Sequence, residues 1–196
     1  MIPDWKEKGA PLKTKVKGDD VYYLTGQEKG IKTPNFLIPK PMHNEGNYIV
    51  SMANVCRWLA EQAEGMGVEI FPGFTASEVL YNDDGSVKGI LTGDLGVFED
   101  GSETDCYMPC MELLAKQTIF AEGCRGSLGK QLMERFNLRA DCENQTYGIG
   151  IKELWDVEPD RHQQGLIIHS AGWPMKNDTY GGSFLYHLEN NQVAVG

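Results

Sequence analysis

The chain has 196 residues, with 18 Lys+Arg against 28 Asp+Glu, a formal net charge of −10 and 41% hydrophobic residues. That apolar share is enough for a packed core and argues against a disordered chain, while the acidic balance argues against a nucleic-acid partner. Glycine is dense at 23 residues, yet no G-x-G-x-x-G or G-x-x-x-x-G-K-[ST] loop for cradling phosphate is present.

In chain order, residues 1–33 carry a basic stretch (Lys6, Lys8, Lys13, Lys15, Lys17) that reads as a solvated surface segment. No apolar run is long enough for a signal peptide or a membrane span. Residues 34–46 hold Pro34, Pro39 and Pro41 and are expected to be an extended connection. From Ile49 to Gly65 the apolar or small residues Ile49, Met52, Ala53, Cys56, Leu59, Ala60 and Ala63 recur at three–four spacing. This predicts a helix with that stripe buried, stopped by Gly65 and Gly67. Val68–Phe71 reads as a short strand before the Pro72-Gly73 turn. Ser77–Tyr81 and Val87–Leu91 flank Asn82-Asp83-Asp84-Gly85 as a hairpin. Met111–Lys116 is a further hairpin arm, and Thr118–Ala121 an apolar run of the buried-strand type.

Glu122-Gly123-Cys124-Arg125-Gly126-Ser127 follows, and then a helix to about Phe136. Glycine allows close backbone approach and Ser127 is a candidate helix cap, so the exposed N–H groups at this helix start would suit a phosphate. From Gln145 onward the texture becomes β-rich, in segments 147–155, 165–169, 183–188 and 192–195. They suggest an antiparallel sheet distinct from the α/β part, with a boundary near 137–146. The final apolar strand suggests that the chain is a piece of a longer protein.

Other chemistry is weakly supported. The cysteines (56, 106, 110, 124, 142) are odd in number and lack metal-ligand spacing, which suits a reducing compartment. His43, His162, His169 and His187 also lack ligand spacing and read as surface or sheet histidines. There is no G-x-S-x-G elbow, and no catalytic residue is assigned. The sequons at Asn144 and Asn177 carry no meaning in a cytosolic chain.

The order helix, strand, hairpin, strand and Ala121-Glu122-Gly123-Cys124-Arg125-Gly126-Ser127 resembles the middle of flavin hydroxylases and related FAD oxidoreductases. There an A-D-G-x-x-S segment closes over the cofactor; here Glu stands for Asp. Ser51 stands where many members place an Arg against the flavin. Pro3–Leu12, Phe120–Cys124, Gln145–Gly150, Gly172-Trp173-Pro174 and, above all, Thr179-Tyr180-Gly181-Gly182-Ser183-Phe184-Leu185-Tyr186-His187 are similar to the electron transfer flavoprotein–ubiquinone oxidoreductase family. The similarity runs over essentially the whole chain and looks bacterial.

That resemblance implies an α+β fragment of the flavin-hydroxylase/glutathione-reductase-like superfamily. Residues 1–34 would be a membrane-surface segment with Trp5 and the lysines at the interface. Residues 35–140 would be the middle of the FAD-binding domain, and 141–196 part of the ubiquinone-binding domain. Gly181 and Gly182 would lie at the quinone head group, and Glu122, Gly123 and Ser127 beside FAD. The parent would pass electrons from reduced electron transfer flavoprotein through FAD and a [4Fe–4S] cluster to ubiquinone. It would sit at the cytoplasmic face of the bacterial inner membrane, or at the mitochondrial inner membrane in eukaryotic relatives. The FAD pyrophosphate loop and the four cluster cysteines are not in this sequence and would fall outside 1–196. Alternatives are a FixC-type dehydrogenase, an isoprenoid reductase, or a catalytically inert isolated domain.

Overall fold

A computed structural model describes residues 2–176 and 178–196, so the sequon at Asn177 lies outside the described residues. The chain is β-rich. In order, the elements are β1 (Thr14–Lys15), β2 (Gly18–Gly26), β3 (Lys29–Lys32), β4 (Tyr48–Ile49) and α1 (Met52–Glu64). Then come β5 (Ala76–Tyr81), β6 (Val87–Thr92), β7 (Leu95–Val97), β8 (Glu103–Met108), β9 (Glu112–Leu114) and α2 (Ser127–Arg135). The last are β10 (Glu153–Asp156), β11 (Leu166–Gly172), β12 (Ser183–His187) and β13 (Gln192–Val195). They form two compact units, Met1–Glu69 with Tyr147–Gly196, and Ile70–Thr146.

The first unit is built on a six-stranded sheet in the order β10-β13-β12-β11-β2-β3. The strands from the C-terminal part pair antiparallel, as their alternating texture predicts. The sheet does not end there: β2 joins β11 in parallel register, Leu166 opposite Gly18 through Gly172 opposite Leu24. Val16, Ile49 and Ile167 form the buried cluster, with Tyr186 and Leu188 packed against it. Register places Asp19, Ile167, Tyr186 and Ala194 side by side on one face, with His169 and Phe184 in the next row. That face carries both cavities described below.

Several expectations are corrected. The 34–46 connection is extended but contains two single 3₁₀ turns, Asn35–Leu37 and Lys40–Met42. Proline at the first or second position of such a turn is tolerated because its missing N–H has no partner to lose there. α1 forms as predicted, but its expected stripe is only partly covered: Ile49 just before it is buried and Ala60 and Ala63 are half-buried. Val55, Trp58 and Gln62 are half-buried, while Met52, Cys56 and Leu59 are exposed. The Trp58 indole N–H donates to the Lys8 carbonyl at 2.7 Å, which fixes that orientation. Of the β-rich stretch 147–155, only Glu153 onward is strand; Ile149 and Ile151 are exposed.

The second unit has a three-stranded sheet, β5-β6-β9, and the separate β7-β8 pair. The hairpin turn at 82–85 forms as predicted, closed by Asn82 N–H to Ser86 O at 2.8 Å, with Gly85 at φ +83. Leu128 and Leu132 of α2 bury against Val79, with Tyr81, Val87, Ile90 and Phe120 around them. Neither 68–71 nor 118–121 is strand. The Val68 N–H closes back onto Ala63 O, Pro72 follows at once, and among the described residues neither segment is paired into a sheet. Ile119 is exposed, and without a ladder partner an apolar run has no means of satisfying its backbone as a strand.

Candidate functional site

The larger cavity of the first unit, about 900 Å³, lies on the His169 face of the sheet. Its wall includes Met42, Gly150, His169, Gly181, Gly182 and Phe184. Gly181 and Gly182 lie just before β12, where the chain comes in against β11. A Cβ at Gly182 would run into the Ser170 carbonyl oxygen, so only glycine allows this approach. A Cβ at Gly181 would come closest to the Met175 Cε, at 2.8 Å, the movable end of a flexible side chain. The two glycines therefore differ: the second is required by the fold, whereas the first leaves backbone open to the cavity. Ser170 and Ser183 pin the strand entry through an Oγ–Oγ hydrogen bond of 2.6 Å.

Behind this wall lies a polar cluster. His169 Nε2 and the Tyr186 hydroxyl are 2.8 Å apart, and His169 Nδ1 faces Asp19 Oδ1 at 3.9 Å. Asp19 Oδ2 accepts from the Asn44 backbone N–H at 2.8 Å and from its side-chain amide at 3.2 Å. Asp19 Oδ1, in contrast, is buried with no hydrogen-bond partner. Phe184 stacks on Tyr186 at 4.7 Å between ring centroids. Burial, and then the Asp19 carboxylate, hold the Tyr186 phenol above its ordinary pKa, so it stays a hydroxyl. A smaller cavity of about 540 Å³, lined by Val16, Ile49, Ile167 and Tyr186, lies on the same face. Sequence reasoning missed this cluster. Asp19, His169 and Tyr186 lie on three strands, and only the parallel β2–β11 pairing brings the first to the others.

The other predicted site lies in the second unit. Gly123 has φ +77, a conformation that suits glycine. Ser127 does not cap α2: it is the first helical residue, Gly126 is the N-cap, and no side chain caps from that position. The Glu122 carboxylate does the capping instead, accepting from Leu128 N–H at 3.2 Å and Gly129 N–H at 2.6 Å. A Cβ at Gly126 would collide with the Glu122 side chain, which explains the glycine there. The helix start thus already holds an anion, and these donors do not fit a cofactor phosphate. Ser51 precedes α1 and also makes no side-chain cap. Among the described residues no group of three His, Cys, Asp or Glu side chains is placed to hold a metal, and all five cysteines are free and exposed.

An apolar cavity walled by glycine backbone and aromatic rings on a sheet face is of the class that takes a flat, weakly polar ligand. Residues 147–196, which supply most of that wall, match the family model described as "ETF-QO, ubiquinone-binding". Along its whole length the chain is 60% identical to the electron transfer flavoprotein-ubiquinone oxidoreductase of Pseudomonas aeruginosa. It is 59% identical to the mitochondrial protein of that name in Dictyostelium discoideum and 52% to that of Homo sapiens. The chain belongs to this family. It spans about a third of the length of these relatives: 36%, 32% and 32%.

Proposed function

We propose that the chain is the quinone-handling third of an electron transfer flavoprotein–ubiquinone oxidoreductase. The full-length parent takes electrons from reduced electron transfer flavoprotein and delivers two of them, with two protons, to ubiquinone. The observation that carries this reading is the 900 Å³ cavity walled by Gly181 and Gly182 inside the matched segment. Gly181 and Gly182 present backbone to the quinone head group, and Phe184 supplies an apolar ring surface.

FAD and a [4Fe–4S] cluster serve as the parent's electron carriers, within the flavin-hydroxylase/glutathione-reductase-like superfamily. Residues 35–140 belong to its FAD domain and 141–196 to its ubiquinone domain. Glu122 and Gly123 form a flavin-side turn, and Ser127 follows them in the helix. The capped start of α2 leaves the FAD phosphates to be held by other parts of the parent. Residues 1–34 lie at the membrane surface, at the cytoplasmic face of the inner membrane in bacteria. Trp5 packs edge-on to Tyr48 with the Lys6 ammonium 5.2 Å from its indole, a pairing suited to an interface. Nearby in sequence, Phe36 and Leu37 expose their side chains. No helix among the described residues is long and apolar enough to cross a membrane, so the association proposed is one of surface insertion.

The test is Gly181→Val in the full-length parent. The nearest atom to a Cβ there is the Met175 methyl end, so the protein folds and keeps its flavin, while a branched side chain is added to a residue of the cavity wall. Quinone reduction is expected to fall to background with unchanged FAD content. Normal quinone turnover in this variant would remove the assignment.

A further inference from the structure

Charge is distributed unevenly along this acidic chain. Residues 1–18 hold five lysines against two acids, Asp4 and Glu7, which leaves 13 of the 18 Lys+Arg and 26 of the 28 Asp+Glu to the remainder. We infer that Lys13, Lys15 and Lys17, with Lys6 and the Trp5–Tyr48 ring pair, form a strip that docks on the anionic headgroups of a phospholipid membrane. The inference rests on the membrane-surface reading of residues 1–34 above and adds the class of lipid that this surface selects.

Burial alternates strictly along 13–17. Thr14 is 1% and Val16 7% exposed, while Lys13, Lys15 and Lys17 are all exposed. A period of two puts the three ammonium groups on one side of an extended chain, at steps of roughly 7 Å. The inner side fixes them there. Thr14 donates its hydroxyl to Glu189 Oε2 at 2.7 Å, and Val16 belongs to the buried cluster with Ile49 and Ile167. The lysines cannot turn inward without breaking both contacts.

Register adds the aromatic part. On the antiparallel β1–β4 ladder Thr14 stands opposite Ile49, both buried, and Lys15 stands opposite Tyr48. Residues opposite one another emerge on the same face, so Lys15 and Tyr48 are neighbours on the outer side. Trp5 packs edge-on to Tyr48 with 5.8 Å between ring centroids, and Lys6 Nζ lies 5.2 Å from the indole centroid. The lysines and the ring pair are therefore one surface.

The acids around this strip are turned to other partners. Asp4 pairs with Lys8 at 3.2 Å and Asp20 with Lys32 at 2.7 Å. Asp19 accepts from Asn44, and Glu189 from Thr14. Among the described residues Lys6, Lys13, Lys15 and Lys17 form no ion pair. Exposed ammonium groups beside amphipathic rings match the headgroup layer of a bilayer, where rings and lysine stems lie along the acyl boundary and the charges reach phosphate. The same unit exposes Phe36 at 85% and Leu37 at 63%, side chains that a bilayer takes up and an acidic protein surface does not.

The test uses the full-length parent and sedimentation with two kinds of vesicle, pure phosphatidylcholine and phosphatidylcholine with one-third phosphatidylglycerol. At about 0.1 M salt the wild type should prefer the anionic vesicles, and raised salt should erase the preference. Replacing Lys13→Gln, Lys15→Gln and Lys17→Gln together should weaken binding to anionic vesicles by on the order of 100-fold, at about fivefold per lysine. Unchanged binding of this variant to neutral vesicles shows that its fold is intact. The three Lys→Arg changes at the same positions should keep the preference. So should Lys29→Gln, Lys116→Gln and Lys130→Gln together, which alter the net charge equally at other exposed sites. Equal binding of the wild type to both vesicles overturns the inference while leaving the membrane-surface reading in place, and so does an equal loss in the second glutamine set. Failure of the wild type to bind either vesicle removes the membrane-surface reading as well. If the first glutamine set binds vesicles normally but raises KM for the electron transfer flavoprotein, the strip docks a protein and the lipid assignment falls.

Discussion

At the scale of single residues, the strongest constraints are places where one side chain stands in for something else. Glu122 occupies the donors of a helix start, and Asp19 keeps one oxygen open toward an imidazole. His187 is a third case. It is buried on β12, and its Nδ1 accepts the Gln163 backbone N–H at 3.1 Å, a bond only the neutral ring can make. Burial first, and then the adjacent His162, lower its pKa from the ordinary value of 6.5. The unfolded chain therefore takes up this proton before the folded one does. Stability is complete above the ordinary histidine range and falls as pH drops through it. Urea midpoints measured from pH 7.5 to 5 should decline, and His187→Gln should flatten that part of the decline. A slope unchanged by the substitution would show that other groups control it.

At the scale of elements, α2 is held by two leucines. Leu128 is 1% exposed and sits under Val79 with Leu132. Leu128→Ala should destabilise the second unit by roughly 2–5 kcal/mol, the usual range for a buried leucine that leaves a cavity. Leu138→Ala, at an exposed site just beyond the helix, should cost little, and denaturant melts of the two variants separate them. The periodicity that predicts α1, α2 and the 82–85 hairpin is local, and all three form. Thr118–Ala121 and Val68–Phe71 show the limit of that approach. An apolar run says that a segment seeks cover, but whether it becomes a strand depends on a neighbour elsewhere in the chain. The α1 stripe is only partly covered for a related reason, since the Trp58–Lys8 bond, across 50 positions, draws another side of the helix against the chain. The candidate site was legible to the same extent. Gly181 and Gly182 stood out through a contiguous motif, whereas Asp19 and His169 are separated by 150 positions and no window joins them.

At the scale of the whole molecule, the proposed role is one of holding substrate more than cofactor. Glu122 already occupies two of the donors at the start of α2, and the sequence contains no phosphate loop. The purified chain should therefore be colourless, without the flavin bands near about 370 and 450 nm that the cofactor would contribute. Stoichiometric flavin in that preparation would show that another part of these 196 residues binds it.

The parallel pairing of β2 with β11 has a consequence for how the protein is made. Gly18 must wait for Leu166 to emerge from the ribosome. At typical synthesis rates that is a delay of roughly 7–30 s. During this interval β2 and β3 form a lone hairpin, too small to be stable in water. The intervening Ile70–Thr146 unit, whose pairings are all internal, has time to fold first. The 900 Å³ cavity, walled in part by β11, thus takes shape only after this pairing, and the exposed edge of β2 is until then the natural point for chaperone capture.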